Sequence, residues 1–255
     1  MATTKIVLKN IRKSFGGRTV VDIDNLTLGA HPIEGLIGPN GAGKTTLMSL
    51  ITRKLSADQG QILYLPANGA KVDITHNSLD EVARMGLVRT NQIIQDFESL
   101  TIRDSLLLSL STPHFDKFYR IFGTQKLAQS VNDEIDFYLD YFPFENPNGH
   151  ALSAGEKKLL DIIRCLMLKP KFLLMDEPTA GLPYDLTQSV MALMQKKAVE
   201  DGLTILIVEH DLDLIWEVCD FVHFLAEGQL MTQGTPEEIR KNQMVAEKYM
   251  GVSHV

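Results

Sequence analysis

The stretch Gly38-Pro39-Asn40-Gly41-Ala42-Gly43-Lys44-Thr45-Thr46 decides the fold. It fits the pattern G-x-x-x-x-G-K-[ST], a phosphate-binding P-loop. An apolar segment at 33–37 precedes the loop, and a helical pattern from about 44 to 54 follows it. Glycines let the backbone approach a phosphate closely, and the N-terminus of a helix attracts anions. This strand–loop–helix arrangement therefore predicts a nucleotide-binding α/β fold, whereas a chance glycine-rich turn would lack both flanking elements.

Two side chains of the loop have specific expected roles. Lys44 is expected to contact the β- and γ-phosphates of a bound nucleotide, and Thr45 to offer its hydroxyl to Mg²⁺. The rest of the loop is expected to wrap around the phosphates through Gly38, Pro39, Asn40, Gly41, Ala42, Gly43 and Thr46.

A second motif lies downstream, where the apolar run Phe172-Leu173-Leu174-Met175 ends in Asp176 and Glu177. In combination with a P-loop, Asp176 is expected to hold Mg²⁺ directly or through water. Glu177, the next residue, is then placed to polarise the attacking water as a general base. The pair predicts hydrolysis of the nucleotide as well as its binding.

A third motif, Leu152-Ser153-Ala154-Gly155-Glu156, opens an amphipathic helical pattern. Ser153 followed three residues later by Glu156 is typical of a capping box. If this motif stood alone, we would interpret it only as a helix cap. Ser153 lies 23 residues before Asp176, however, and His210 lies 34 residues after it. Gln92 lies 48 residues after Lys44.

Composition excludes several classes of protein. The chain has 255 residues, a net charge of −7 and 44% hydrophobic residues, which is ordinary for a globular protein and lacks the basic surface of a nucleic-acid binder. No run of 18 apolar residues exists, and the N-terminal run Ile6-Val7-Leu8 is too short for a signal peptide, so a cytosolic location is expected. Cys165 and Cys219 lack metal-ligand spacing and are expected to be reduced core thiols.

Strand and helix patterns alternate along the chain. Short strands are predicted at 6–8, 19–21 and 26–28, with Asp22, Asp24 and Asn25 as turns between them. Further strands are predicted at 33–37, 61–65, 171–175, 204–208 and 221–226, and helices at 156–168 and 186–200. Residues 100–150 are helical in pattern and hold nine of the 18 Phe, Tyr and Trp residues. These rings predict either the core of a helical subdomain or a groove for a partner helix.

The motifs and their order resemble the nucleotide-binding subunits of ATP-binding cassette (ABC) transporters, from about residue 5 to residue 251. The resemblance implies an α/β fold: a P-loop NTPase (RecA-like) core of the ABC ATPase type with an antiparallel β subdomain and an inserted helical subdomain. One such domain would fill 1–255. Its core would comprise 1–90 and 156–235, its helical subdomain 91–155, and its C-terminal helical tail 236–255.

The resemblance also assigns roles to individual residues. Phe15 is similar to the aromatic residue that stacks on adenine, although it could instead be a packed strand residue. Gln92 resembles the Q-loop glutamine, which would join Thr45 and Asp176 at Mg²⁺, and His210 resembles the switch histidine; a surface amide and a satisfied strand-end histidine are the alternatives. The catalytic set is then Glu177, His210 and Gln92. The signature motif of the family is matched by Ser153, Ala154, Gly155 and Glu156, and its D-loop by the segment 179–185.

The family's mechanism implies cofactors and partners. Two ATPase subunits, identical or different, would enclose two ATP molecules with Mg²⁺, each ATP lying between the P-loop of one subunit and the signature motif of the other. Transmembrane permease subunits would hold the protein at the cytoplasmic face of the inner or plasma membrane. A periplasmic solute-binding protein would be an indirect partner, and nucleic acid would not be one.

Two departures from the family pattern concern the signature motif and the D-loop. Ala154 stands where glycine is commonest; it is harmless if the position is helical or extended, and costs about 1–2 kcal/mol if φ is positive. Its methyl group could also crowd the partner's nucleotide. The D-loop segment Ala180-Gly181-Leu182-Pro183-Tyr184-Asp185 lacks the usual Ser-Ala-Leu-Asp form.

The variable segments favour one subgroup of the family. Val88-Arg89-Thr90-Asn91-Gln92, Glu177-Pro178-Thr179-Ala180-Gly181-Leu182 and the tail from Gly234 to Gly251 are similar to ATPases of importers for branched-chain amino acids and for urea or amides. Lipid or lipopolysaccharide transport ATPases are the alternative within transport. An iron–sulfur assembly ATPase is the alternative outside transport, because the run 155–158 resembles its signature region. The solute cannot be named from an ATPase that does not contact it.

Overall fold

The computed structural model describes residues 3–90, 100–110, 124–142, 144–145 and 152–250. These residues belong to two compact units. The first comprises Met1–Arg89, Lys171–Pro178 and Met191–Val255, and the second comprises Thr90–Pro170 and Thr179–Val190. The division into core, helical subdomain and tail given above stays a prediction.

An antiparallel sheet in the first unit has the strand order β2-β1-β4-β5. Its strands are β1 (Lys5–Phe15), β2 (Arg18–Leu28), β4 (Gln59–Leu65) and β5 (Val72–Asp73). The prediction of two short strands separated by turns at Asp22, Asp24 and Asn25 was wrong, because β2 runs through them and Asp22 pairs with Arg12 of β1. Asp22, Asp24 and Asn25 are partly or fully exposed, whereas the apolar residues of the strand are buried: Val21, Ile23, Leu26 and Leu28. The strand therefore has one solvent-facing side and one buried side.

A mixed sheet of six strands forms the rest of the framework of the first unit, in the order β10-β9-β3-β8-β7-β6. Only the pair β9–β10 is antiparallel; the others are parallel. The central strands are buried along their whole length, as expected for a parallel sheet covered on both faces. The strands are β3 (Ile33–Ile37), β6 (Leu87–Arg89), β7 (Phe172–Asp176), β8 (Thr204–Val208), β9 (Phe221–Ala226) and β10 (Gln229–Gly234).

Helices of the first unit follow these strands. The P-loop helix α1 spans Lys44–Ile51, slightly shorter than predicted, and ends where Thr52 and Arg53 leave the helical conformation. Its apolar side chains join a core that includes Leu8, Leu36 and Leu206. The other helices lying within this unit are α2 (Leu79–Arg84), α7 (Leu212–Val218), α8 (Pro236–Arg240) and α9 (Gln243–Met250); α6 (Tyr184–Glu200) begins in the second unit and ends in the first.

The regular elements described in the second unit are helices, and those at 102–109 and 124–141 confirm the helical pattern predicted within 100–150. Its helices include α3 (Ile102–Ser109), α4 (Thr124–Tyr141) and α5 (Ala154–Met167). Arg164 of α5 donates a hydrogen bond to Ser105 of α3. Four of the nine clustered aromatic residues, at 115, 118, 119 and 122, lie outside the described residues. Of the other five, Tyr138, Phe142 and Phe144 are buried, which fits a subdomain core, whereas Phe137 is 40% exposed.

A buried polar network links β3, the strand that leads into the P-loop, to β9 and β10 of the mixed sheet. Glu34 on β3 is fully buried, and its Oε2 lies 2.9 Å from Nε2 of His223 on β9. Backbone N–H groups of Gly29 and His31 also donate to the Glu34 carboxylate, and Nδ1 of His223 lies 3.1 Å from Oε1 of Gln233. Burial alone raises the pKa of Glu34, but the contacts with His223 and the two N–H groups outweigh it and lower that pKa below its ordinary value of 4.5.

We expect removal of one member of this pair to destabilise the protein. His223→Leu leaves a buried carboxylate without its side-chain partner, which costs about 3–5 kcal/mol, whereas the double variant Glu34→Leu/His223→Leu restores most of the loss. Urea unfolding of the three proteins measures both effects. Because the folded pKa of Glu34 is lowered, its stabilising contribution is complete above pH 4.5 and is lost as the pH falls through the folded pKa. A single variant as stable as the wild type would contradict this account.

Both cysteines are buried and neither forms a disulfide, as predicted for reduced core thiols. Burial is the main reason that the pKa of each thiol is raised, which makes both poor nucleophiles.

No helix among the described residues is long and apolar enough to cross a membrane.

Candidate functional site

The P-loop connects the buried end of β3 to the first turn of α1. Gly43 immediately precedes the helix with φ of 100°, and a Cβ atom there would lie 2.6 Å from the carbonyl oxygen of Val20, so only glycine fits. The N-cap of this helix is Gly43, which has no side chain to accept a hydrogen bond from the first N–H groups. A helix start of this kind suits an anionic ligand such as a phosphate.

Lys44 points back across the loop. Its Nζ donates to the carbonyl oxygens of Gly38 at 2.6 Å and Pro39 at 3.1 Å. Burial lowers the pKa of Lys44, while the nearby carboxylates of Glu177 and Asp176 act in the opposite direction. The loop therefore holds a poorly solvated cation, which a phosphate group would stabilise more than water does.

Asp176 ends strand β7 and is almost fully buried, with 2% of its side chain exposed. Its Oδ2 accepts a hydrogen bond of 2.6 Å from Arg89, the last residue of the neighbouring strand β6. Parallel strands β3, β7 and β8 all end at the same edge of the sheet, and this is why the P-loop and Asp176 lie in one unit at one edge.

Glu177 and His210 are brought together, although they are 33 positions apart in the chain. Nε2 of His210 lies 3.0 Å from Oε1 of Glu177, and both side chains are partly exposed. Glu177 adopts φ of 48°, a conformation unfavourable for a non-glycine residue, and its N–H donates to the carbonyl of Val208. The backbone thus holds the carboxylate of Glu177 beside the imidazole and open to solvent.

The oxygen donors at this edge fit a magnesium–nucleotide complex. Thr45 is exposed in the first turn of α1, and Asp176 supplies a carboxylate; hydroxyl and carboxylate oxygens are ligands that Mg²⁺ accepts. Among the described residues no group of three or more His, Cys, Asp or Glu side chains could hold a metal by itself. Mg²⁺ in nucleotide sites is usually bound by one or two protein oxygens together with phosphates.

Of two further predicted site residues, Phe15 lies within the described residues and Gln92 does not. Phe15 ends β1 with 47% of its surface exposed, and Nζ of Lys13 lies 5.4 Å from its ring centroid. Phe15 is therefore a strand residue that is not buried, and an exposed ring suits stacking on a base, which stays a prediction. Gln92 lies outside the described residues, so its roles at the metal and in catalysis stay predictions.

The signature segment lies in the second unit and begins helix α5. Ser153 is the N-cap, and its hydroxyl accepts the N–H of Glu156 at 3.2 Å. The Glu156 carboxylate in turn accepts from the N–H of Ser153 at 2.8 Å, which confirms the capping box. A second carboxylate oxygen accepts the N–H of Glu145. Although burial raises the pKa of Glu156, its bonds to Ser153 and Glu145 lower that pKa overall.

Ala154 is the first residue of this helix and is not among the residues with positive φ. The alternative in which alanine strains the backbone is therefore wrong. Gly155 is more constrained, because a Cβ atom there would lie 3.3 Å from Leu182. Whether the methyl group of Ala154 approaches a nucleotide held by a second subunit stays a prediction.

The geometry at Ala154 leads to a prediction about turnover. Replacing Ala154 with glycine removes a helix-favouring residue at a helical position and is expected to cost no more than about 1 kcal/mol of stability. Because the backbone is already unstrained, we expect the ATPase rate to stay close to that of the wild type. A large acceleration in a phosphate-release assay would instead indicate that the methyl group crowds the active complex.

The sequence motifs alone did not identify three polar residues around the site. Arg89 contacts Asp176, and Ser49 of α1 contacts Arg89 at 3.0 Å. Glu209 is buried, and its carboxylate accepts the N–H of His210 at 3.1 Å. A signal for Arg89 did exist: a charged residue ends an otherwise apolar strand, and a buried aspartate at a neighbouring strand end needs a counter-charge.

Comparison with known families and proteins gives a consistent result. The family model described as "ABC transporter" matches residues 21–180. The high-affinity branched-chain amino acid transport ATP-binding protein BraF of Pseudomonas aeruginosa is 30% identical, over 98% of this chain and 99% of that protein. LivG of Escherichia coli K12, which carries the same description, is 31% identical over 98% and 99% of the two chains.

Solved structures are similar over the same length. The ADP conformation of MJ1267, an ATP-binding cassette of an ABC transporter, is 28% identical with a TM-score of 0.78, over 98% of this chain and 99% of that one. A nucleotide-free ATP-binding cassette from an ABC transporter, also 28% identical, has a TM-score of 0.77 over 97% and 99% of the chains. The α/β fold of an ATP-binding cassette is thereby confirmed.

Proposed function

This chain belongs to the ABC transporter family, and on that basis we propose that it is the ATP-hydrolysing subunit of an importer for branched-chain amino acids. The single observation that supports ATP hydrolysis most strongly is the contact between Glu177 and His210 at the strand ends beside the P-loop strand. Relatives named as branched-chain amino acid transport ATP-binding proteins, aligned over nearly the whole chain, support the choice of solute.

Nucleotide binding is assigned to the P-loop and Phe15. Backbone N–H groups at the start of α1 and the ammonium of Lys44 bind the phosphates, and the exposed ring of Phe15 stacks on adenine. Thr45, Asp176 and Gln92 would hold Mg²⁺, which would supply positive charge to neutralise the phosphates.

The hydrolytic step is assigned to Glu177 and His210. The Glu177 carboxylate accepts a proton from the attacking water, and His210, 3.0 Å away, orients that carboxylate and the γ-phosphate. Strain at Glu177 is consistent with this role, because its positive φ places the side chain beside the end of β8.

A second ATPase subunit completes the site. Ser153 to Glu156 form a helix N-terminus on which Ser153 and the adjacent N–H groups would contact the γ-phosphate held by the partner. The partner is a second copy of this chain or a related ATPase. ATP binding closes the pair and hydrolysis opens it, which is a switch driven by one phosphate group.

Permease subunits hold the protein at the cytoplasmic face of the membrane. The partly exposed residues Leu107, Leu108 and Phe137 of the second unit are apolar surface suited to a permease helix. A periplasmic solute-binding protein would act on the complex from the other side.

Uptake of radiolabelled solutes tests this proposal. A strain lacking the gene is expected to lose leucine uptake, to regain it with the wild-type gene, and not to regain it with the Glu177→Gln variant. Normal leucine uptake with lost urea uptake would reassign the solute. Normal uptake of both, with a defect in lipid export or iron–sulfur assembly, would contradict the importer function.

A further inference from the structure

We propose that Arg89 is a positioning residue that fixes Asp176 in the orientation required for magnesium-dependent nucleotide binding. The proposal rests on the proposed function, because it assigns Asp176 to the metal. Arg89 lies outside the P-loop, the strand-end carboxylates and the switch histidine, to which the proposed function assigns the chemistry.

Strand register explains how Arg89 reaches Asp176. Arg89 on β6 pairs with Leu174 on β7, and Asp176 lies two residues beyond Leu174. Because side chains alternate between the two faces of a sheet, Leu174 and Asp176 share a face, about 7 Å apart along the strand. An arginine at the end of β6 spans that distance with its side chain.

The guanidinium joins three elements of the first unit. One terminal nitrogen of Arg89 lies 2.6 Å from Oδ2 of Asp176, and the other donates to Oγ of Ser49 on α1 at 3.0 Å. Oγ of Ser49 donates to the carbonyl oxygen of Thr45 at 2.7 Å. The planar guanidinium of Arg89 thus links the carboxylate of Asp176 to α1, the helix that carries Thr45.

Burial makes this ion pair more than a surface contact. Only 13% of the Arg89 side chain and 2% of the Asp176 side chain are exposed, so solvent screens their attraction weakly. A carboxylate can accept up to about four contacts, so its bond to Arg89 is compatible with a further ligand. Anchoring by Ser49 opposes a swing of the guanidinium away from the site.

Two other interpretations make different predictions. If Arg89 competed with Mg²⁺ for the carboxylate, its removal would strengthen the effect of Mg²⁺ on nucleotide binding. If Arg89 only stabilised the fold, its removal would lower stability and leave that effect unchanged. Partners that orient metal ligands, by contrast, typically contribute about 10- to 100-fold to metal affinity.

The test is a fluorescence titration of the purified full-length chain with mant-ATPγS, in excess EDTA and in saturating MgCl₂. The ratio of the two dissociation constants measures the Mg²⁺-linked gain in affinity. We expect Arg89→Met to reduce this gain about tenfold or more and to leave the affinity in EDTA essentially unchanged. Arg89→Lys keeps the charge but cannot bridge Asp176 and Ser49, so it is expected to lose most of the gain as well.

Two further variants keep the result interpretable. Ser49→Ala preserves the ion pair and removes only its anchor, so it folds without a buried unpaired carboxylate and is expected to lose part of the gain. Arg53→Met is the matched control. Arg53 is a half-buried arginine of the same unit, and its guanidinium donates to the backbone carbonyl oxygens of Asn77 and Leu55. It is expected to keep the full gain.

Failure of the positioning role and failure of the proposed nucleotide function give different results in this titration. A full or increased gain in Arg89→Met and Ser49→Ala would overturn the positioning role. Absence of any Mg²⁺-linked gain in the wild type would instead contradict the proposed nucleotide function, whatever the variants show.

Discussion

Glu177→Gln is expected to bind ATP with wild-type affinity and to hydrolyse it about 10³ times more slowly, since a general base contributes about 10²- to 10⁴-fold. Glutamine has the same shape and keeps a contact with His210, but it cannot accept a proton from water. The γ-phosphate then persists, and we expect a stable ATP-bound dimer. Phosphate release measures the rate, and size-exclusion chromatography with ATP measures the dimer.

Glu217→Gln is the matched control for this experiment. Glu217 is an exposed glutamate of α7 in the same unit as Glu177, so its substitution changes the charge equally without altering the site. It is expected to hydrolyse ATP normally and to form no trapped dimer. Normal steady-state hydrolysis by Glu177→Gln would refute the assignment of Glu177 as the base.

Lys44→Ala is expected to weaken ATP binding about 10- to 100-fold, because a hydrogen bond to a charged group contributes about 1.5–3 kcal/mol. Burial disfavours the ammonium of Lys44 in the folded protein, as its lowered pKa indicates. Lys44 also donates hydrogen bonds to the carbonyl oxygens of Gly38 and Pro39, so stability is measured beside affinity to distinguish lost binding from unfolding. Titration calorimetry measures the affinity, and urea unfolding measures the stability.

Lys54→Ala provides the comparison, because Lys54 is an exposed lysine just beyond the end of the same helix. Its affinity for ATP is expected to equal that of the wild type. An unchanged dissociation constant in Lys44→Ala would contradict the phosphate-binding role of Lys44.

Local motifs made much of this fold predictable. The P-loop, the strand ending in Asp176 and the cap at Ser153 each depend on a few neighbouring residues, so sequence spacing identified them. Strands 33–37, 204–208 and 221–226 match the structure because continuous burial leaves a clear apolar signal.

Long-range pairing was not predictable in the same way. The ion pair of Arg89 and Asp176 depends on the register of two strands 83 positions apart in sequence, from Arg89 to Phe172. Glu34 and His223 are 189 positions apart. The prediction of turns inside β2 was wrong for a related reason. Pairing with β1 holds Asp22 in a strand, although aspartate favours turns locally.

Purification of the tagged protein from its native membranes in mild detergent, followed by mass spectrometry, tests the central claim most directly. We predict that transmembrane permease subunits co-purify, together with a second ATPase if the pair is heteromeric. Recovery from the soluble fraction with only cytosolic partners would contradict a transport function and indicate an ABC ATPase that serves another process.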